Sequence, residues 1–260
     1  GISVTNPEPA RGGADAESVE EIRRRGLAFF ASQARCVTKD DYFARIMNMP
    51  AKFGSVAKAY VDRTILRADI EEPGTVRIFL LSYDDDKHLV KTPTIVKQNL
   101  RNYIAEFKMI TDDVVIQDGF FINFGVIFDV TAYPYADKTE LKIKVINIIR
   151  DFFHIDKMNF KQPIVITELE YLILGIKGIR GVNSLNITQT TVPNGNGPTF
   201  EPGLFNYNAA GVITDNNAGY GYPYDFMGEA LTPFKTIMPA ADPAVFELRD
   251  PNNNIRGVVR

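Results

Sequence analysis

From Phe120 to Ala132 apolar residues fall on every second position: Phe120, Ile122, Phe124, Val126, Phe128, Val130 and Ala132. Alternate residues of a strand share a face, so the pattern predicts one long strand, 120–132, with that face roofed by other elements. The opposite side, Phe121, Asn123, Gly125, Ile127, Asp129 and Thr131, is mixed. A helix does not fit, because period 2 leaves no helical stripe.

Elsewhere the pattern alternates between strand and helix. Asn6 to Asp15 reads as an irregular loop, followed by a helix with a capping box at Ser18 and Glu21. Its arginines Arg23, Arg24 and Arg25 stand beside Glu20 and Glu21, the pattern of a solvated helix face. A second helix opens at Thr38, buries Tyr42, Ile46 and Met49, and stops at Pro50. Strands are expected at Ser55–Leu66 and Thr75–Leu81, joined by a turn at Glu72-Pro73-Gly74. Thr92-Pro93 starts a helix with the stripe Val96, Leu100, Tyr103 and Phe107. Val114–Gln117 is a short strand, and Asp118-Gly119 predicts a hairpin into strand 120–132.

After Tyr133-Pro134-Tyr135, Asp137 and Glu140 cap a helix with the stripe Leu141, Val145, Ile148 and Phe152. A further helix from Pro163 has the stripe Val165, Leu169, Leu172 and Ile176, with Gly175 or Gly178 as its stop. Gly181–Thr190 reads as a strand, and Ala244–Arg249 with Ile255–Val259 as a terminal hairpin. The fold class this predicts is α+β. It comprises an N-terminal helical segment, a split β-α-β (ferredoxin-like) sheet with helices on one face, and an irregular β/coil C-terminal region. The expected segments are 1–50, 51–190 and 191–260. Gly1 to Val4 reads as the middle of a strand, so 1–50 is taken as the end of an upstream β domain plus two helices.

Composition sharpens this picture at one place. Residues 181 to 243 hold only six charged side chains, Glu201, Asp215, Asp225, Glu229, Lys235 and Asp242, yet keep many aromatics. That is the composition of a surface buried by a partner. It is equally that of an irregular β-rich domain packed on its own core. On the first reading Phe205, Tyr207, Tyr220, Tyr222, Tyr224 and Phe226 are the interface residues. Overall, 45% hydrophobic and 23% charged residues are ordinary globular values. A net charge of −3 argues against a nucleic-acid partner. No apolar run is long enough for a membrane span.

The reactive side chains are few. The single cysteine, Cys36, excludes an internal disulfide and reads as a buried, inert thiol. The two histidines, His88 and His154, have no local partner at metal-ligand spacing. Asp84-Asp85-Asp86 lacks the alternating ligands of a calcium loop and reads as a charged turn. Asn194-Gly195-Asn196-Gly197 lacks the lysine of a phosphate loop. Asn186-Ile187-Thr188 matches a glycosylation acceptor by chance. No catalytic, metal or cofactor site is expected.

Three stretches together resemble the baseplate J-like family. These are Thr5-Asn6-Pro7-Glu8-Pro9-Ala10-Arg11-Gly12-Gly13-Ala14-Asp15-Ala16-Glu17-Ser18, Cys36-Val37-Thr38-Lys39-Asp40-Asp41-Tyr42 and Gly54-Ser55-Val56-Ala57-Lys58-Ala59. Gly74-Thr75-Val76 and the strand and helix order up to Gly181-Val182 continue the likeness, which covers about residues 4 to 190. It implies a non-enzymatic structural role in the baseplate of contractile-tailed phages. It further implies a virion location, assembly in the host cytoplasm, and contacts with other copies in a dimer and ring. Other wedge and hub proteins are the remaining implied partners. The alternative is a ligand- or glycan-binding tail domain, or an enzyme, with Asn and Tyr residues of 200–226 forming the groove.

Overall fold

The computed structural model describes residues 35–63, 74–188, 230–249 and 251–260. It also describes the single positions Val19, Arg23, Gly26, Tyr224 and Phe226. Loop 6–15, most of the Ser18-capped helix, Ile65, Pro73 and the Asn194–Gly197 turn lie outside the described residues. The chain divides into two compact units, 1–119 and 120–260. That cut differs from the 51–190 segment expected from sequence.

The first unit contains α1 (Lys39–Met47), β1 (Lys58–Arg63), β2 (Thr75–Tyr83), β3 (Leu89–Lys91), α2 (Thr94–Ala105) and β4 (Asp113–Asp118). β2 is central in its sheet, antiparallel to β1 and β3 and parallel to β4. The capping box at the head of α1 is present: Thr38 Oγ1 accepts from the Asp41 N–H, and Asp41 Oδ2 accepts from the Thr38 N–H. Tyr42 and Ile46 of α1 and Leu100 and Ile104 of α2 pack against Val61, Val76, Ile78 and Leu80 of the sheet. One sheet face is therefore roofed by two helices, which cover apolar side chains of β1, β2 and β4.

The second unit contains β5 (Phe120–Asn123), β6 (Gly125–Ala132), α3 (Lys138–Phe152), β7 (Ile164–Val165) and α4 (Ile166–Leu174). It continues with β8 (Ile179–Thr188), β9 (Thr236–Ile237), β10 (Ala244–Glu247), α5 (Pro251–Asn254) and β11 (Ile255–Val259). The main sheet has the order β11-β6-β8, with β6 antiparallel to β8 and parallel to β11. α3 packs on β11 and α4 on β8. Two small pairs, β10 with β5 and β7 with β9, complete the unit.

The mixed α+β class holds, with helices roofing sheets in both units. Four finer expectations do not. The strands of 55–190 do not form a single sheet: β1 to β4 share one sheet in the first unit, while β5, the pair β6 and β8, and β7 belong to three different sheets in the second. Strand 120–132 is two strands: the predicted face is buried from Ile122 to Ala132, but Phe124 leaves the ladder, and β5 and β6 pair with different partners. β4 and β5 make no hairpin across Asp118-Gly119, because β4 runs parallel to β2 while β5 pairs with β10. Nor do β10 and β11 form a terminal hairpin; each runs parallel to its own partner, with the turn of α5 between them.

At the centre of the second unit lies an aromatic cluster. Phe124 has its ring 4.9 Å from Phe153, 5.9 Å from Phe226 and 6.4 Å from Phe246, with tilted or edge-on geometry throughout. Such arrangements suit the ring quadrupoles and add to the area term of burial. Out-of-ladder Phe124 is thus the hinge between β5 and β6 and the anchor of the cluster.

Candidate functional site

A site is either a reactive cluster or a surface that still has apolar area to bury. The buried polar groups come first. Asp112, with its side chain fully buried, accepts from the Tyr42 hydroxyl at 2.9 Å and from Arg63 Nη2 at 2.9 Å. Lys108 Nζ donates to its carbonyl at 2.8 Å, and Arg63 Nη1 donates to the Val37 carbonyl. Burial, reinforced by the Asp112 carboxylate, pushes the Tyr42 hydroxyl well above its ordinary value. Burial likewise pushes the Cys36 thiol up to about 11. A neutral phenol and a neutral thiol in a closed interior are not nucleophiles. The cluster ties α1, β1 and the loop before β4 together, so its work is structural.

Asp84, Asp86 and His88 bring one ligand atom each within 4.8 Å of one another. The Asp84 carboxylate already accepts the backbone N–H groups of Asp86 and His88, which closes the turn between β2 and β3. His154 caps the short 3-10 turn Ile155–Lys157, its Nδ1 accepting from the Asp156 N–H. Among the described residues no nucleophile, base and orienting group come together. Among them, too, no helix is long and apolar enough to cross a membrane.

The surface is more informative. α4 (sequence ITELEYLIL) buries Ile166, Leu169 and Ile173 against the sheet. It also presents Tyr171 at 77%, Leu172 at 42% and Leu174 at 47% exposure. The expected stripe had Val165 and Leu172 inside; both face outward, at 36% and 42%. Six of its nine residues are apolar, more than one buried stripe holds, and among the described residues it buries only the side of Ile166, Leu169 and Ile173. Phe234, 84% exposed, lies in a turn beside the first residues of the helix. Its turn is fastened to the helix: Thr167 Oγ1 donates to the Phe234 carbonyl, the Ile166 N–H donates to the Lys235 carbonyl, and Lys235 Nζ sits 2.7 Å from Glu170.

Grooves flank the helix on both sides. One, of about 450 Å³, is lined by Ile148, Phe152, Met158, Val165 and Leu172, with Glu168 on its rim. The other, broader, is lined by Tyr133, Tyr135, Asp137, Glu140, Lys144 and Lys177, with Leu174 among them. The two tyrosine rings stack at 5.5 Å. The first groove is mostly apolar, whereas the second is as polar as it is apolar, with two acids and two lysines along it.

Of the interface residues expected from sequence, Phe205, Tyr207, Tyr220 and Tyr222 lie outside the described residues. Phe226 is only 3% exposed and belongs to the aromatic cluster, so it is not an anchor for a partner. Tyr224 packs edge-on against Phe226 and Phe246 and donates its hydroxyl to the Met238 carbonyl. Burial raises its hydroxyl above the ordinary value. These two side chains pack within the second unit. The α4 face was missed because its apolar residues were assigned to the core; their number, too many for one stripe, was the available signal.

No family model matches the chain, and no curated protein does. Among solved structures, a chain of the anti-feeding prophage (AFP) baseplate, 6-fold symmetrised, is similar with a TM-score of 0.42 and 10% sequence identity. The likeness covers 66% of this chain and 38% of that one, so this chain spans well under half of that chain's length. A likeness of that size carries no weight for fold or function.

Proposed function

We propose that this chain is a structural subunit of a contractile-tail baseplate wedge, acting through protein-protein contacts and not as an enzyme. The observation that carries the reading is the set of outward apolar side chains of α4, Tyr171, Leu172 and Leu174, with exposed Phe234 nearby and a mostly apolar groove lined in part by Val165 and Leu172. Contiguous apolar surface of this kind marks a protein contact. The resemblance at residues 5–18, 36–42 and 54–59 supports the choice of assembly. The charge-poor region from 191 onward favours the larger wedge subunit of T-even-type phages within it. On this reading copies of the chain form a ring around the tail hub, beside other wedge and hub proteins, and rearrange on contraction. Phe205, Tyr207, Tyr220 and Tyr222 are proposed as further contact residues. The alternative of a glycan-binding domain or enzyme finds no support among the described residues.

A stop codon at the head of this coding sequence in the parent phage tests the reading. The expected outcome, by electron microscopy of lysates, is loss of tails with complete baseplates. Intact, infectious contractile tails lacking the chain would overturn it.

A further inference from the structure

The turn between β2 and β3 is built on one aspartate. Asp84 Oδ1 accepts the backbone N–H of Asp86 at 3.0 Å and that of His88 at 2.8 Å. The Asp84 N–H donates to the His88 carbonyl at 2.9 Å, and Lys87 takes the left-handed conformation at φ 60°. These bonds bring Asp84, Asp86 and His88 together and leave Asp85 outside the cluster. The other carboxylate oxygen of Asp84, Oδ2, stands 3.7 Å from His88 Nδ1. That is too long for a hydrogen bond, and it suits two donors that share one ion. Donors about 2.1 Å from a common tetrahedral centre lie about 3.4 Å apart. The third donor, a carboxylate oxygen of Asp86, is within 4.8 Å of the other two, on an exposed side chain that small rotations bring closer. Asp86 makes no ion pair among the described residues.

We propose that Asp84, Asp86 and His88 form a binding site for a divalent transition-metal ion of the zinc type. The donor set selects the class of ion. One imidazole nitrogen with two carboxylates suits a borderline-soft ion such as Zn2+, whose tetrahedral shell water completes. Ca2+ asks for about six to eight oxygen ligands, which this turn does not supply. Sequence order points to a different trio, the consecutive acids Asp84-Asp85-Asp86. Successive side chains along an extended chain point apart, and the turn exchanges Asp85 for His88. A bound ion ties the two ends of the turn together. It thereby holds β3, which pairs with β2 only over Leu89 to Lys91, in its ladder. The site lies within the first unit and does not rest on the assembly reading, so either can fail alone.

Calorimetric titration of zinc chloride into the full chain, first stripped of metal with a chelator, tests it. The wild-type chain takes up zinc saturably with micromolar affinity. His88→Gln and Asp86→Asn each weaken that uptake by about tenfold or more, since even a supporting group costs a metal site that much. The Asp86 side chain is exposed and accepts none of the turn's backbone bonds, so Asp86→Asn reads the ligand role with the turn intact. Two controls keep the wild-type affinity: Asp85→Asn, beside the cluster but outside it, and His154→Gln, at the other histidine. Calcium chloride gives no saturable binding over the same range. Zinc raises the Tm of the wild type and not that of Asp86→Asn, because an ion that binds only the folded chain stabilises it. No saturable zinc uptake by the wild type, undiminished uptake by His88→Gln or Asp86→Asn, or calcium binding as tight as zinc would each overturn the proposal. A tenfold loss in either control would place the ion elsewhere and overturn it too.

Discussion

Gly257 shows how single residues hold this fold. It lies in β11 opposite Phe128 of β6, and a Cβ there would meet the Phe128 carbonyl oxygen at 2.4 Å and its ring at 2.5 Å. Nothing larger fits unless the strands part. Gly257→Ala is expected to cost about 3 kcal/mol, the upper range for overpacking. At Gly181, in β8, a Cβ would meet nothing within 4 Å. There the alanine change is expected to stay within about 0.5 kcal/mol. Urea unfolding of the two variants beside wild type checks the pair; equal midpoints for all would refute the close β11–β6 approach. No periodicity rule reaches Gly257, because the constraint comes from a strand 129 positions earlier in the chain (257 − 128).

At the scale of elements, the head of α1 makes a claim about pH. Burial pulls the Asp41 carboxyl upward, but the N–H groups of Thr38 and Val37 hold its charged form and win, leaving it below the ordinary carboxylate value. A depressed folded value means stability that is present above the unfolded value, about 4, and lost as pH falls through the folded one. Thr38→Ala, which removes the reciprocal half of the box, is expected to cost about 1 kcal/mol at neutral pH. Asp41→Asn should flatten the acid limb of a stability profile taken from about pH 6 down to 2. An unchanged limb would mean that Asp41 is not the group that caps the helix. This cap was legible from Thr38 and Asp41 alone, because a capping box is local. The partner of a strand is not: alternation in 120–132 announced a buried face correctly, yet could not say that β5 joins β10 while β6 joins β8 and β11. α4 failed differently. With six of its nine residues apolar, several stripes fit equally, and packing chose Ile166, Leu169 and Ile173 over Val165 and Leu172.

At the scale of the molecule, each unit has its own core and its own helix-roofed sheet, and the second keeps an apolar helix face outward. Aromatic, charge-poor composition is shared by interiors and interfaces, so sequence alone could not separate Phe226, which is core, from Tyr171, which is surface. Only the fold decides between them. The central claim is that the outward face of α4 is covered by protein when the chain is at work. Hydroxyl-radical footprinting of the side chains, on the isolated chain and on assembled tail particles, measures this directly. Tyr171, Leu172, Leu174 and Phe234 are expected to be oxidised readily in the isolated chain and at least several-fold less in particles. Ile143, 55% exposed on α3, supplies an internal comparison. Equal oxidation of the four residues in both states would contradict the account.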